Sequence, residues 1–254
     1  MKHLSIINKV KLGLLVSLTF ILTPQVSFSN DANSSIIILN TTGTSPLNDQ
    51  NMKGYVDMIA AEAFKRIGIT LKTVSLPAER GLINSNSHKV DGEMTRIAGL
   101  ENKYKNLLQV PEKLVDWDFV AIGKSKLNNK DSWQRLSGKR VAFINGWKIL
   151  EKNISPIAEV TKVKGPKTLF NILKNNRSHY IIYERWASAK YIQDLSLKNI
   201  YIQHPPLAKR EMFIYLHKEH AQLVDKLAAI LKNMKTDGTY KKLKNGVLRQ
   251  YINH

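Results

Sequence analysis

The chain contains no cysteine among its 254 residues. Disulfide bonds, thiolate catalysis and lipid attachment through cysteine are therefore excluded, and folding relies on packing alone. A chain of this length can bury a sizeable apolar core. Acidic residues are also scarce, since 20 Asp and Glu stand against 39 Lys and Arg and give a net charge of +19. A basic surface of this kind favours acidic ligands or anionic membrane surfaces.

The sequence also lacks an apolar run long enough to span a bilayer, which takes ~20 residues. A shorter run, Leu12–Thr23, follows three lysines and ends at Pro24, and the small residues Ser27 and Ser29 come next. This order is typical of a cleavable secretory signal peptide, and the run is too short for the alternative, a membrane anchor. We predict that residues 1–29 are a signal peptide and that the mature protein enters the periplasm.

The strong positive charge raises nucleic acid as a partner. Removal of residues 1–29, which hold three lysines and no acidic residue, lowers the net charge only from +19 to +16. The basic residues are scattered along the chain, however, and an exported protein does not meet nucleic acid in the cytosol. We therefore predict no nucleic-acid partner, and either a solvated basic surface or a preference for acidic ligands.

Strand-like and helix-like segments alternate along the mature chain, which predicts an α/β fold with largely parallel sheets. Ile36–Leu39 reads as a buried strand, and Gly54 opens an amphipathic helix that ends before Gly68. Further strands are predicted at Leu71–Leu76, Val90–Met94, Trp117–Ile122, Gly138–Gly146 with its closing glycine turn, Val160–Val163, Tyr180–Tyr183, Ile200–Gln203 and Met212–Leu216. Further helices are predicted from Ala78, from Trp147, over Thr168–Leu173, over His220–Lys235 and around Tyr240–Leu248.

Two of these strands bracket the middle of the chain and predict a discontinuous first domain. Trp117–Ile122 carries the chain out of that domain, and the strand near Met212 follows its return. We predict that residues 30–118 and 208–254 form domain 1 and that residues 119–207 form domain 2.

Ligands of open α/β sheets lie beyond the carboxyl ends of the strands. Arg96 follows the strand Val90–Met94 and is the first candidate for a ligand contact, so that Arg96→Ala would weaken binding with little loss of stability. The alternatives are a solvated arginine or a pair with Glu93 or Glu101. If the strands are parallel, one sheet edge gathers Thr41, Thr44, Glu79, Arg80, Thr95 and Arg96.

The second half of the chain offers two further candidate positions. The turn at Gly146 leads into a helix starting near Trp147 and Lys148, and free N–H groups at such a helix start suit a carboxylate or phosphate. Glu184 follows the strand Tyr180–Tyr183. It could bind a ligand cation, or it could be a helix N-terminal carboxylate that stabilises the helix dipole.

The sequence gives less support to an enzymatic function. No G-x-S-x-G motif is present for a serine nucleophile. The segment His217–His220 is interpreted as a solvated turn, so no metal site is predicted. Glu79 and Glu184 could act as paired carboxylates, but a binding cleft explains them equally. We predict no catalytic step and no cofactor.

The order of several motifs resembles a known family. These motifs are Gly54 with its amphipathic helix, Val90–Glu93, Leu136–Val141 with Gly146, the strand ending at Glu184, and Met234–Tyr240. They resemble family 3 of the bacterial extracellular solute-binding proteins over nearly the whole mature chain. The resemblance implies a type II periplasmic binding fold, in which two α/β domains joined by two crossing strands close over a small polar ligand, often an amino acid delivered to an ABC transporter.

The resemblance also implies roles for individual residues. Glu184 matches the acidic residue that takes the ligand's amino group, and Trp147 and Lys148 match the helix-start loop used on its carboxylate. Lys103 stands near the position of the family's carboxylate-binding arginine, which is a departure, and Arg96 matches another cleft-lining position. Thr41 and Thr44 match cleft positions of the first domain, where the family often has an aromatic or acidic residue.

The predicted function is that of a monomeric periplasmic solute-binding protein. It would capture a small polar ligand, anionic or zwitterionic and amino-acid-like, by hinge closure and present it to the permease of an ABC transporter. Two alternatives stay open: a ligand sensor that docks a membrane receptor, and a dehydratase-like enzyme on the same fold.

Overall fold

The computed structural model describes residues 35–128 and 133–252. The predicted signal peptide, residues 1–29, lies outside the described residues. Within the described ranges, no helix combines the length and the apolarity needed to cross a membrane.

Strands and helices alternate along most of the described chain. The strands are β1 (Ile36–Thr41), β2 (Thr70–Ser75), β3 (Gly92–Arg96), β4 (Leu107–Gln109), β5 (Val115–Gly123), β6 (Arg140–Ile144), β7 (Glu159–Val163), β8 (Tyr180–Glu184), β9 (Tyr201–Ile202) and β10 (Ala208–His217). The α-helices are α1 (Tyr55–Lys65), α2 (Ala78–Asn86), α3 (Lys148–Ile154), α4 (Pro166–Lys174), α5 (Arg185–Asp194), α6 (Ala221–Thr236) and α7 (Thr239–Leu248).

The strands pair in the order β2-β1-β3-β10-β5-β8-β6-β7, with β4 on β10 and β9 on β5. Strand β1 is parallel to β2 and β3, and β6 is parallel to β7 and β8. Every antiparallel pair involves β5 or β10. The predicted α/β class is confirmed, but the sheet is mixed, because these two strands run against their neighbours.

Strands β5 and β10 each pair with both halves of the sheet. Residues Ala208–Met212 of β10 pair with β5, and residues from Phe213 onward pair with β3. Likewise, β5 pairs with β10 up to Phe119 and with β8 from there on. We call β1 to β4 the first half of the sheet and β6 to β9 the second half. The two strands predicted to bracket the middle of the chain therefore join these halves.

Helices bury their apolar faces against each half of the sheet. Helix α1 buries Val56, Ile59 and Phe64, which occupy one helical face. Helix α4 of the second half likewise buries Leu169, Phe170 and Leu173. Burial of such faces, at ~25 cal/mol per Å² of apolar surface, is the main stabilising contribution to the fold.

The start of α1 anchors the loop that follows β1. The Asp57 carboxylate is buried and accepts hydrogen bonds from the backbone N–H of Asp49 at 2.7 Å and of Gly54 at 3.3 Å. The side-chain amide of Asn48 donates a third bond to it at 2.6 Å. The bond from Gly54, the residue that caps α1, satisfies an N–H group that a helix start leaves free. The three bonds also hold the loop that carries Thr44.

Strand β3 begins two residues later than the sequence predicts, at Gly92 instead of Val90. Pairing with β1 starts at Gly92, and pairing with β10 extends the strand to Arg96. Thr95 and Arg96 are thus part of the strand and do not follow it. Hydrogen bonding to strands that are distant in sequence decides where β3 begins and ends. The local sequence pattern carries no information about these partners.

Candidate functional site

The carboxyl ends of β1, β2 and β3 lie at one edge of the sheet. The parallel register pairs Thr41 with Ser75 and Asn40 with Glu93, so these strands end at similar heights. The parallel arrangement on which the predicted gathering of polar residues depends is therefore present.

Arg96 ends β3 and forms an ion pair with Glu93. Its Nη2 lies 2.6 Å and its Nε 2.8 Å from Glu93 Oε2, and Nη2 also donates to the carbonyl of Ala78 at 3.0 Å. The pair with Glu93 was one of the alternatives open at the level of sequence. Among the described residues, Nη1 of Arg96 has no hydrogen-bond partner, so this nitrogen can still bind an anion.

Glu93 is buried and lies at the centre of a polar network. The Asn40 amide donates to its two carboxylate oxygens at 3.0 and 3.3 Å, and the Ser85 hydroxyl donates at 2.9 Å. Burial raises the pKa of Glu93, whereas the Arg96 charge and the hydrogen bonds oppose that rise. The network fixes the orientation of Arg96 at the sheet edge.

The predicted threonines occupy three different environments. Thr41 is buried and accepts a hydrogen bond from the Gly43 N–H at 3.3 Å. Thr95 is buried, and its hydroxyl has no hydrogen-bond partner among the described residues. Thr44 Oγ1 lies 2.9 Å from the hydroxyl of Tyr183, which belongs to the second half of the sheet.

Glu79, Arg80 and Lys103 are exposed. Glu79 pairs with Lys103 Nζ at 2.9 Å and accepts a hydrogen bond from the Tyr104 hydroxyl at 2.8 Å. These hydrogen bonds lower the pKa of Glu79, with that from Lys103 the larger cause, and the bond to Glu79 raises the pKa of Lys103. The positive charge of Lys103, which stands near the position of the family's arginine, is therefore paired with the exposed carboxylate of Glu79.

The carboxyl ends of β6 and β8 form a second edge. These strands are parallel and end at Ile144 and Glu184. Trp147 follows the turn after β6, stacks on Tyr183 with ring centroids 5.4 Å apart, and meets Phe119 edge to face at 5.5 Å. An aromatic cluster therefore lies beside the end of β8.

The turn at Gly146 is formed as the sequence predicts, with a positive φ of 86°. Its N–H, however, donates to Glu151 Oε1 at 3.4 Å, and Lys148 is exposed and pairs with Glu151 Oε2 at 2.9 Å. The Glu151 carboxylate of this helix therefore already contacts the Gly146 N–H and the Lys148 ammonium group, where the sequence predicts contacts to a ligand anion.

Glu184 is the most deeply buried of the predicted charged site residues, with a relative exposure of 1%. Its Oε2 accepts the Ala187 N–H at 2.7 Å, so the predicted helix-start role is confirmed. Its Oε1 has no hydrogen-bond partner among the described residues. Burial raises the pKa of Glu184 to about 8; Asp118 adds to the rise, and backbone hydrogen bonds and Arg185 oppose it. A buried carboxyl oxygen without a partner is costly unless a ligand satisfies it.

Sequence reasoning missed Asp118 and Tyr183. Asp118 precedes Phe119, which pairs with Glu184, and its buried Oδ1 also lacks a hydrogen-bond partner among the described residues, with Lys209 Nζ 4.0 Å away. The available signal was a pair of acidic residues, Asp116 and Asp118, at the start of the largely apolar strand β5. No local signal singles out Tyr183, because its contact with Thr44 spans 139 residues.

The Thr44–Tyr183 contact brings the two strand edges together, and we call these edges the candidate site. A cavity of about 270 Å³ lies elsewhere, near the starts of β6 and β8, and residues lining it include Lys139, Arg140 and Tyr180. That cavity does not involve the candidate site residues.

The segment His217–His220 is not the solvated turn that the sequence predicts. His217 ends β10 and is only 4% exposed, and the side chain of His220 is 20% exposed and lies 2.7 Å from Asp91. The prediction was wrong because Asp91 and His88, which cover these rings, are about 130 residues away in sequence.

Comparison with solved structures identifies the fold. The glutamate-bound ligand-binding core of GluR0 matches with a TM-score of 0.75 at 10% identity, covering 85% of this chain and 99% of that one. The probable amino-acid ABC transporter extracellular-binding protein YtmK of Bacillus subtilis matches with a TM-score of 0.70 at 19% identity, over 85% and 99%. The fold is that of a type II periplasmic binding protein. The fold that the resemblance of the motifs implied is therefore confirmed.

Two further comparisons add one protein of similar structure and one of similar sequence. An ancestral amino-acid-binding protein, AncCDT-1, described as a precursor of cyclohexadienyl dehydratase, matches with a TM-score of 0.66 at 18% identity, covering 84% of this chain and 95% of that one. An uncharacterized protein of Shewanella oneidensis is 26% identical over 208 residues, which are 79% of this chain and 78% of that protein. No protein-family model matches the chain.

Proposed function

We propose that the protein is a solute-binding protein that closes over a small polar ligand between its two strand edges. The observation that carries this proposal is Glu184, whose buried Oε1 has no hydrogen-bond partner among the described residues. A buried polar group without a partner requires an explanation in a folded protein, and the binding of a ligand is one such explanation. The carboxylate lies at the carboxyl end of a parallel strand, where ligands of α/β sheets bind.

The charges at the two edges favour a zwitterionic, amino-acid-like ligand. Glu184 would pair with a ligand cation, and the free Nη1 of Arg96 would bind an anionic group. The aromatic pair of Trp147 and Tyr183 would cover the apolar part of the ligand. Amino acids are also named in the descriptions of several structural neighbours.

Closure would occur between two domains, residues 30–118 with 208–254 and residues 119–207. Support comes from β5 and β10, which each change pairing partners midway and are the strands that cross between the halves of the sheet. A ligand that contacts both edges stabilises the closed state by its differential affinity.

We further propose export to the periplasm after removal of residues 1–29, a monomeric state, and delivery of the ligand to an ABC transporter permease. The structural neighbours that are ABC transporter proteins support this partner. Sensing through a membrane receptor is the alternative, and capture of the membrane partner followed by its identification distinguishes the two.

A thermal-shift screen of amino acids, oligopeptides, carboxylates and polyamines tests the proposal, on protein refolded to remove carried-over ligand. A true ligand at 100 times its Kd adds ~2.7 kcal/mol to the free energy of unfolding. We expect a zwitterionic hit, compaction in solution scattering, and recovery of the ligand chemically unchanged. Turnover of the ligand would replace this proposal with a dehydratase-like enzyme, with Glu79 and Glu184 as the first acid–base candidates.

The Thr44–Tyr183 hydrogen bond should stabilise the closed state. Tyr183→Phe removes the hydroxyl but keeps the ring on Trp147, so we expect a loss of ~0.5–1.5 kcal/mol and ligand affinity up to about tenfold weaker. Tyr180→Phe on the same strand is the matched control, because its hydroxyl bonds to the Ser125 carbonyl instead. Equal affinities for the two variants would assign no role in closure to this contact.

A further inference from the structure

We propose that His88, Asp91 and His220 form a binding site for a divalent transition-metal ion of the Zn²⁺ type. These three residues, the His–Asp cluster, come from two connections far apart in sequence. His88 and Asp91 lie between α2 and β3, and His220 directly precedes α6. Each offers one ligand atom, and the three atoms lie within 4.8 Å of one another.

The distances among the three atoms suit a shared ion. His88 Nε2 lies 3.4 Å from His220 Nε2 and 3.4 Å from Asp91 Oδ1, and His220 Nε2 lies 2.7 Å from Asp91 Oδ1. Ligand atoms at ~2.0–2.2 Å from a tetrahedral Zn²⁺ are ~3.3–3.6 Å apart. Two of the three separations already have this value, and the third needs to open by about 0.6 Å, a side-chain adjustment.

The three ligand atoms face one another. Nε2 of His220 lies next to both Asp91 Oδ1 and Nε2 of His88, and Nε2 of His88 also lies next to Asp91 Oδ1. The imidazole N–H groups can donate to Asp91 without an ion, and a cation between the three atoms would instead accept a lone pair from each of them.

The surrounding groups hold the ligands in place. The backbone N–H of Ile38 donates to Asp91 Oδ2 at 2.7 Å, so Oδ1 stays turned toward the histidines. His217 stacks on His88 with centroids 4.2 Å apart and planes 10° apart, which fixes the ring of His88. Such supporting contacts orient metal ligands in proteins.

The backbone of His88 belongs to the turn that ends α2. Its φ is +55°, the left-handed conformation common just after a helix, and the N–H of Lys89 donates to the Asn84 carbonyl at 2.9 Å. This turn presents the imidazole to Asp91 and His220.

The ligand set defines the class of metal. Two imidazoles and one carboxylate suit Zn²⁺ and its first-row neighbours, whereas Ca²⁺ and Mg²⁺ prefer sets made of oxygen atoms. The side chains are 38%, 19% and 20% exposed for His88, Asp91 and His220, so water can supply a fourth ligand.

The cluster lies at the opposite edge of the sheet from the candidate site. Asp91 precedes the start of β3, and His217 ends the antiparallel β10 beside it. A bound ion would join the turn before β3 to the start of α6. This inference therefore stands or falls independently of the proposed ligand site.

Calorimetric titration of Zn²⁺ into the full chain, free of affinity tags and treated with a chelator, tests the proposal. We expect binding of one Zn²⁺ at the cluster, a higher melting temperature with the metal, and no competition from equimolar Ca²⁺ or Mg²⁺. Changing a residue that supports a metal ligand weakens affinity by ~10–100-fold, so His88→Asn and His220→Asn should each weaken it at least tenfold.

The variants separate metal ligation from folding. Asparagine tolerates a positive φ, so His88→Asn should melt like the parent protein in the absence of metal. Should it melt lower, Asp91→Asn replaces it, since the amide oxygen can still accept the Ile38 N–H. His179→Asn, at an exposed histidine outside the cluster, should bind Zn²⁺ like the parent. Undetectable Zn²⁺ binding by the parent, or cluster variants that bind like His179→Asn, would overturn the proposal.

Discussion

Replacement of Arg96 by alanine should lower the free energy of unfolding by about 3 kcal/mol, because it leaves the buried carboxylate of Glu93 without its cation. Asn40 and Ser85 still donate to this carboxylate, which keeps the loss toward the low end for a broken buried pair. Urea unfolding measures the effect. From sequence alone we expected little loss of stability; the pairing with Glu93 overturns that expectation.

The same substitution should weaken ligand binding by about 10- to 100-fold, since a charge-assisted hydrogen bond is worth ~1.5–3 kcal/mol. The double variant Arg96→Ala with Glu93→Gln should regain part of the stability but none of the affinity. Arg177→Ala, at an exposed arginine, is the matched control for both measurements. An unchanged Kd in Arg96→Ala would remove this residue from the ligand site.

Glu184→Gln should flatten the dependence of stability on pH. Burial raises the pKa of Glu184 from 4.5 to about 8 in the folded protein. Between these values the folded state holds a proton that the unfolded state has released, so stability falls as the pH rises through this window. Each unit of pKa difference corresponds to ~1.4 kcal/mol, which gives a loss of about 3–5 kcal/mol from pH 4.5 to above pH 8.

Glutamine stays neutral throughout, and its carbonyl can accept the Ala187 N–H. The difference in unfolding free energy between parent and variant should therefore grow from pH 5 to pH 9, with Glu159→Gln, at an exposed strand position, as the matched control. A difference that is constant with pH would mean that Glu184 is ionised in the folded protein.

Ligand binding gives a second test of Glu184. A ligand cation next to this carboxyl group would lower its pKa and release a proton near neutral pH, so the calorimetric heat should vary with the ionisation enthalpy of the buffer. The glutamine variant should lose this variation. It should also bind cationic or zwitterionic ligands much less well than simple carboxylates. Intact affinity with a changed melting temperature would leave Glu184 only its helix-start role.

Local patterns in the sequence determined the element types and the fold class. The apolar face of α1, the glycine after it and the short apolar runs of β1, β6 and β8 depend on residues within a few positions of each other, and the structure has these elements as predicted. The same patterns placed Thr41 and Glu184 at strand ends. Parallel strands that are connected by helices have their carboxyl ends at the same edge of the sheet.

Only the tertiary structure decided which polar groups have partners. Asn40 reaches Glu93 over 53 residues, Asp91 reaches His220 over 129, and Thr44 reaches Tyr183 over 139. Such contacts arise from strand pairing and helix packing, and no spacing in the sequence encodes them. For that reason the sequence left open whether Arg96 binds a ligand, is solvated or pairs with Glu93 or Glu101, and it predicted a solvated turn at His217–His220. The fold pairs Arg96 with the buried carboxylate of Glu93 and gathers His220 with His88 and Asp91 into one cluster.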